Sequence, residues 1–86
     1  MDDAERIETL KRFIRVDVIG RADLTIEADT PLVSSGLIDS MALIDVLMKL
    51  EDLTGRDIPA GKVQPHHLDT INSMLSVAAR LGRPRS

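Results

Sequence analysis

The chain is 86 residues long, 43% apolar and 29% charged, with Phe13 as its single Phe and no Trp or Tyr. That is enough for one packed core but not two, and a core of Leu, Ile, Val, Met and Ala suits helices better than a sandwich. The absence of Cys excludes disulfides, thiolate nucleophiles and thiolate metal sites, and a net charge of −3 argues against binding to a phosphate backbone.

In chain order, Ile7, Leu10, Phe13 and Ile14 recur at helical spacing and predict a first helix over residues 2–19. Asp2 with Glu5 makes a capping-box-like start, and Gly20 supplies the stop. Residues 20–38 mix Gly, Pro, Asp, Thr and Ser with scattered apolar residues, the pattern of a long ordered connection. Leu24, Ile26, Leu32, Val33 and Leu37 are its expected anchors on the core. A second helix is predicted over residues 40–54, with Asp39 as N-cap and Gly55 as stop. Beyond Pro59 and Gly61, one helical turn is expected over residues 65–68. Ile71, Met74, Leu75, Val77, Ala78 and Leu81 then repeat at i, i+3, i+4 spacing and predict a last helix from a Thr70 cap to Gly82. Residues 1–82 are thus the expected domain, and residues 83–86 a flexible basic tail. The opening MDDAERIETL lacks a basic leader followed by an apolar run, and no stretch approaches membrane-spanning length. A cytoplasmic protein without nucleic-acid or membrane partners is expected, and nothing in the sequence calls for more than a monomer.

The second helix divides into two faces at about 100° per residue. Ala42, Leu43, Val46, Leu47, Leu50 and Leu53 form an uncharged arc fit to bury, with Lys49 at its boundary. The opposite arc gathers Ser40, Met41, Ile44, Asp45, Met48, Glu51 and Asp52. Adaptable Met side chains among acids that steer basic partners suit transient docking. The alternative is that the long loop of the same domain covers Met41, Ile44 and Met48. Ser40 stands in the first turn, where free N–H groups and the helix dipole favour an anionic substituent such as a phosphate ester. Asp39 beside it is fit to cap the helix and to hold a metal-bound cofactor for a modifying enzyme. Taken alone, Asp-Ser before a helix is ordinary capping.

The segment GLIDSMALIDVLMKLED, from Gly36 to Asp52, resembles the phosphopantetheine attachment region of acyl and peptidyl carrier proteins. Gly36, Asp39 and Ser40 stand in the family pattern, followed by the apolar residues of the second helix and by Glu51 and Asp52. Ile58 and Pro59 resemble the family's next connection, and LDTINSML, Leu68 to Leu75, the start of its last helix. The resemblance covers residues 5–81. It implies an all-α, four-helix acyl-carrier-like bundle with a long loop between helices 1 and 2 and a short helix 3. It also implies that a phosphopantetheinyl transferase attaches the 4′-phosphopantetheine of coenzyme A to Ser40. The arm would supply the thiol this sequence lacks and carry acyl or aminoacyl groups as thioesters, while partner enzymes do the chemistry. Those partners would be a cargo-loading ligase or acyltransferase and a downstream synthase or transferase. Met41 replaces the usual Leu after the serine, and Asp-Ser-Met resembles specialised carriers, including D-alanyl carrier proteins and stand-alone carriers of secondary metabolism. Lys49 and Ala42 make the second helix less acidic than in fatty-acid carriers, and Thr54-Gly55 lacks the family's aromatic before Gly. A dedicated biosynthetic pathway is therefore the expectation, with fatty-acid synthesis as the alternative within the family.

Other constellations point less far. His66 and His67 are adjacent, so on a helix they diverge and do not readily chelate one ion, even with Asp69 nearby. They are expected at the surface beside the short third helix. Ser40, a histidine and Asp39 are the residue types of a hydrolytic triad, but adjacent Asp39 and Ser40 offer no relay geometry. Leu43 and Leu47 are expected in the core, and Leu68 and Ile71 as candidates to line a space for a short acyl chain. From another class, the alternative function is an unmodified helical interaction domain in which Ser40 merely begins a helix.

Overall fold

The computed structural model describes residues 2–84. The first helix, α1, runs over Asp3–Arg12 and continues without a break as a π-helical stretch over Phe13–Ile19. The Asp2 carboxylate accepts the Glu5 N–H at 2.9 Å, satisfying one of the donors that a helix start leaves free. Leu10 and Ile14 are fully buried, whereas Val16 is exposed. At the other end Gly20 takes a left-handed φ of 78°, as Gly55 does after the second helix with a φ of 67°.

The second helix, α2, spans Ala42–Thr54. It starts two residues later than its sequence pattern implies, because Ser40 and Met41 form a turn leading into it. Leu43, Val46 and Leu50 are its buried stripe, while Ala42, Leu47 and Leu53 pack half-buried around them. Lys49 Nζ lies 5.4 Å from the centre of the Phe13 ring, a cation-π contact that ties α2 to the π-helical stretch. The last helix, α3, spans Ile71–Leu81. The Thr70 hydroxyl accepts the Ser73 N–H at 3.0 Å, and the Ser73 hydroxyl accepts the Thr70 N–H at 3.1 Å. Its side chains Ile71, Met74, Val77 and Ala78 are buried against α1 and α2.

Between α2 and α3 the chain makes two 3-10 turns, Ala60–Lys62 and Pro65–Leu68, in place of one. The first was not expected from the sequence. The fold is also not purely helical. A two-residue strand β1, Arg56–Asp57, pairs antiparallel with β2, Arg83–Pro84, so the basic segment begins as an ordered strand instead of a flexible tail. Gly82 permits this return, since a Cβ there would collide with the Ala78 carbonyl and crowd Arg56. The Arg56 guanidinium donates to the Gly82 carbonyl at 3.3 Å. The remaining tail residues, Arg85 and Ser86, lie outside the described residues.

The core joins Leu10 and Ile14 to α2, α3 and three residues of the long loop, Ile26, Leu32 and Ile38. Leu24, Val33 and Leu37 reach it only in part. Ile38, which the sequence pattern did not single out, is thus a principal anchor of the loop. No described helix is long and apolar enough to cross a membrane.

Candidate functional site

Ser40 is exposed at the turn that opens α2, and among the described residues no hydrogen bond engages its hydroxyl. Its position is set by its neighbours. Ile38 is buried on one side, and on the other Asp39 Oδ1 accepts the Ala42 N–H at 2.9 Å; the N-cap position itself falls on Met41, so Asp39 serves the first N–H of α2 from two residues further out than expected. The hydroxyl is therefore held at the positive end of a 13-residue helix with its oxygen open to solvent. An exposed, unengaged hydroxyl in that field fits a covalently attached phosphate ester.

The outer face of α2 is not covered by the domain's own loop. Met41 is 76% exposed, Ile44 61% and Met48 59%. Asp45 and Asp52 stand exposed on the same helix, and line a cleft of about 310 Å³ with Phe13, Asp17, Val18, Met48 and Lys49. Glu51 is placed differently. It is half-buried, and its carboxylate accepts the Ile58 N–H at 2.8 Å, holding the connection after α2 against the helix. That bond gives Glu51 a bracing role within the domain.

On its other side Ser40 borders an apolar groove of about 210 Å³. Leu43, Ile44 and Leu47 form one wall, and Ala60, Val63, Gln64, Pro65 and Leu68 the other. Leu68 is one of the residues that line this groove. Ile71 does not line this groove; it is fully buried one turn into the core. Leu43 and Leu47, expected purely as core, instead present one flank to the groove. Spacing on α2 alone could not show this, because the opposite wall comes from the 3-10 turns.

The Pro65–Leu68 turn is fixed by His67, whose Nδ1 accepts the Gln64 N–H at 3.0 Å while the Gln64 side chain accepts in return from the His67 backbone. Burial, then the neighbouring His66 and Arg80, push the His67 pKa down, which favours the neutral ring this bond requires. The His66 and His67 ring centres are 4.2 Å apart at 52°, and among the described residues no three metal-ligating side chains gather.

Asp69 was given no role of its own in the sequence, yet its carboxylate binds the loop that leads to Ser40. Its Oδ1 accepts the N–H groups of Leu32, Val33 and Ser34 at 3.1, 2.8 and 2.9 Å, and Oδ2 accepts the Ser34 hydroxyl at 2.9 Å. The Ser34 N–H most of all, then the Ser34 hydroxyl and the other two N–H groups, hold its pKa below the usual carboxylate range, against the opposing effect of desolvation. The available signal was an accounting one: a long loop pinned to a core needs acceptors for its backbone N–H groups, and Asp69 is an acid beside a helix cap.

These features agree with comparison to known families. A family model described as the phosphopantetheine attachment site matches residues 8–78, covering the second half of α1, the π-helical stretch, the loop, Ser40, the groove and most of α3. Comparison with curated proteins yields no match. Domains of this family bear a covalent 4′-phosphopantetheine group and interact with phosphopantetheinyl transferases and other partner enzymes, and the match covers most of the sequence: the chain belongs to the phosphopantetheine attachment site family.

Proposed function

We propose that this chain is a non-catalytic carrier protein that takes its 4′-phosphopantetheine on Ser40. The observation that carries the reading is the exposed, unengaged Ser40 hydroxyl at the start of α2 inside a family match over residues 8–78. In the attachment step the Ser40 oxygen forms a bond to phosphorus, the phosphoanhydride bond of coenzyme A breaks, and adenosine 3′,5′-bisphosphate leaves. The hydroxyl proton passes to a base of the transferase. Once bound, the group supplies a terminal thiol that holds acyl or aminoacyl cargo as a thioester.

The chain's own residues present that group. Asp39 caps the helix whose dipole favours the phosphate charge, and supports the transferase's metal-bound cofactor. The groove beside Ser40, with Leu68 in its far wall, offers an apolar resting place for the arm or a short acyl chain. Met41, Ile44 and Met48, flanked by Asp45 and Asp52, serve as the docking face for basic partners: the transferase, a cargo-loading ligase or acyltransferase, and a downstream synthase or transferase. The Asp-Ser-Met sequence and Lys49 favour a specialised or secondary-metabolite pathway over fatty-acid synthesis.

The test is intact-mass spectrometry of the purified chain before and after incubation with coenzyme A and a broad-specificity phosphopantetheinyl transferase, with fragmentation to locate the addition. One phosphopantetheine on Ser40, and none on Ser40→Ala, is the expected result. A folded wild-type chain that gains no mass would overturn the reading in favour of an unmodified interaction domain.

A further inference from the structure

The loop entering Ser40 is closed into a small ring. The Ile38 N–H donates to the Leu32 carbonyl at 3.0 Å, and the Gly36 N–H to the Val33 carbonyl at 3.0 Å. From within the ring the Ser35 hydroxyl donates to the Pro31 carbonyl, just outside it, at 2.6 Å. Ile38, the last residue of the ring, directly precedes Asp39 and Ser40. The other end is gripped from the start of α3, where one oxygen of Asp69 collects three consecutive backbone N–H groups and its second oxygen takes the Ser34 hydroxyl. The Leu32 N–H is shared with the Asp69 backbone carbonyl at 2.8 Å. A reciprocal bond runs from the Asn72 N–H to the Ala28 carbonyl at 3.0 Å. Hydrogen bonds to an ionised acceptor are short and about twice as strong as neutral ones, and four on one carboxylate define a single geometry.

We infer that Asp69 is a positioning residue for the modification of Ser40: its carboxylate sets the 32–38 ring, and the ring sets where Asp39 and Ser40 emerge at the start of α2. The inference rests on the carrier reading of Ser40. Ile26, Leu32 and Ile38 already bury themselves on the core and keep the loop attached. What apolar burial does not supply is direction, because it is non-directional, whereas the Asp69 bonds fix the path of the backbone between those anchors. The transferase needs the Ser40 oxygen aligned with a phosphorus atom, and a displacement of about 1 Å at a reacting atom can cost on the order of 100-fold in rate.

The test measures steady-state loading of the full chain by a phosphopantetheinyl transferase, followed by intact mass, at a temperature where circular dichroism shows every variant folded. Asp69→Ala is expected to lose about tenfold or more in kcat/KM. Asp69→Asn, whose carbonyl oxygen can still accept the three N–H groups, recovers most of that loss. Val77→Ala, a buried α3 variant chosen to lower the melting temperature without touching the ring, loads like wild type. Asp69→Ala loading at the wild-type rate overturns the inference, as does an equal loss in Val77→Ala. If Asp69→Ala does not fold, Ser34→Ala carries the test, with a loss of about twofold to threefold expected and a wild-type rate overturning it. A wild-type chain that is never loaded brings down the carrier reading itself, a result distinct from loading that ignores Asp69.

Discussion

Upstream of Ser40, Ile26, Leu32 and Ile38 are almost wholly buried, while downstream Met41, Ile44 and Met48 expose 76%, 61% and 59% of their surface. The two stretches differ equally in their polar bonds. The loop directs the N–H groups of Leu32, Val33 and Ser34 into Asp69, whereas the backbone of α2 is bonded mostly within the helix and leaves Met41, Ile44 and Met48 exposed beside it. An irregular segment reaches a fixed shape only by recruiting acceptors and apolar anchors from elsewhere in the domain. A helix closes most of its backbone bonds on itself and anchors through one face, here Leu43, Val46 and Leu50, so α2 can hold Ser40 while offering an apolar outer face. The comparison separates a side that fixes the serine from a side that is free to meet other molecules.

The sharpest way to break that contrast is to truncate matched apolar residues on its two sides. Leu32→Ala is expected to cost about 2–5 kcal/mol in urea unfolding, because its side chain is fully buried at the loop's junction with Asp69. Asp39→Ala comes next: loss of the bond to the Ala42 N–H is expected to lower stability by about 1 kcal/mol, read in the same titration. Acidification probes the loop side without mutation. Asp69 has a folded pKa below its unfolded value, so its contribution is complete above about pH 3.9 and is lost as pH falls through the depressed folded value. His67 is also depressed, so its contribution is complete above about pH 6.5 and drains as pH falls through its lowered value. Melting temperatures are therefore expected to fall in two stages on acidification, with Asp69→Asn flattening the lower one. Met48→Ser makes the smallest change, within about 0.5 kcal/mol in stability. A large destabilisation there would show that the outer face is part of the core after all.

Much of this is legible in the amino-acid sequence. Asp2, Asp39 and Thr70 signalled helix starts through local capping chemistry, and each accepts the expected backbone N–H. The α2 stripe of Leu43, Val46 and Leu50 followed from periodicity. The bracing bond of Glu51 was not legible, because periodicity assigns a side chain to a face without saying which distant N–H will meet it; only the chain reversal at Gly55 brings the Ile58 N–H within 2.8 Å. The β1–β2 pairing was invisible for the same reason, since two-residue strands have no period to read.

The sequence by itself determined the helices, the serine at the head of the second one and the family, because caps, periodic apolar spacing and a contiguous motif are local properties of the chain. Tertiary structure decided the groove, the bracing role of Glu51, the burial of Ile71 and the grip of Asp69 on residues 32–34. Each of these depends on atoms far apart in sequence meeting at hydrogen-bond or van der Waals distance, and that proximity exists only once the helices have packed.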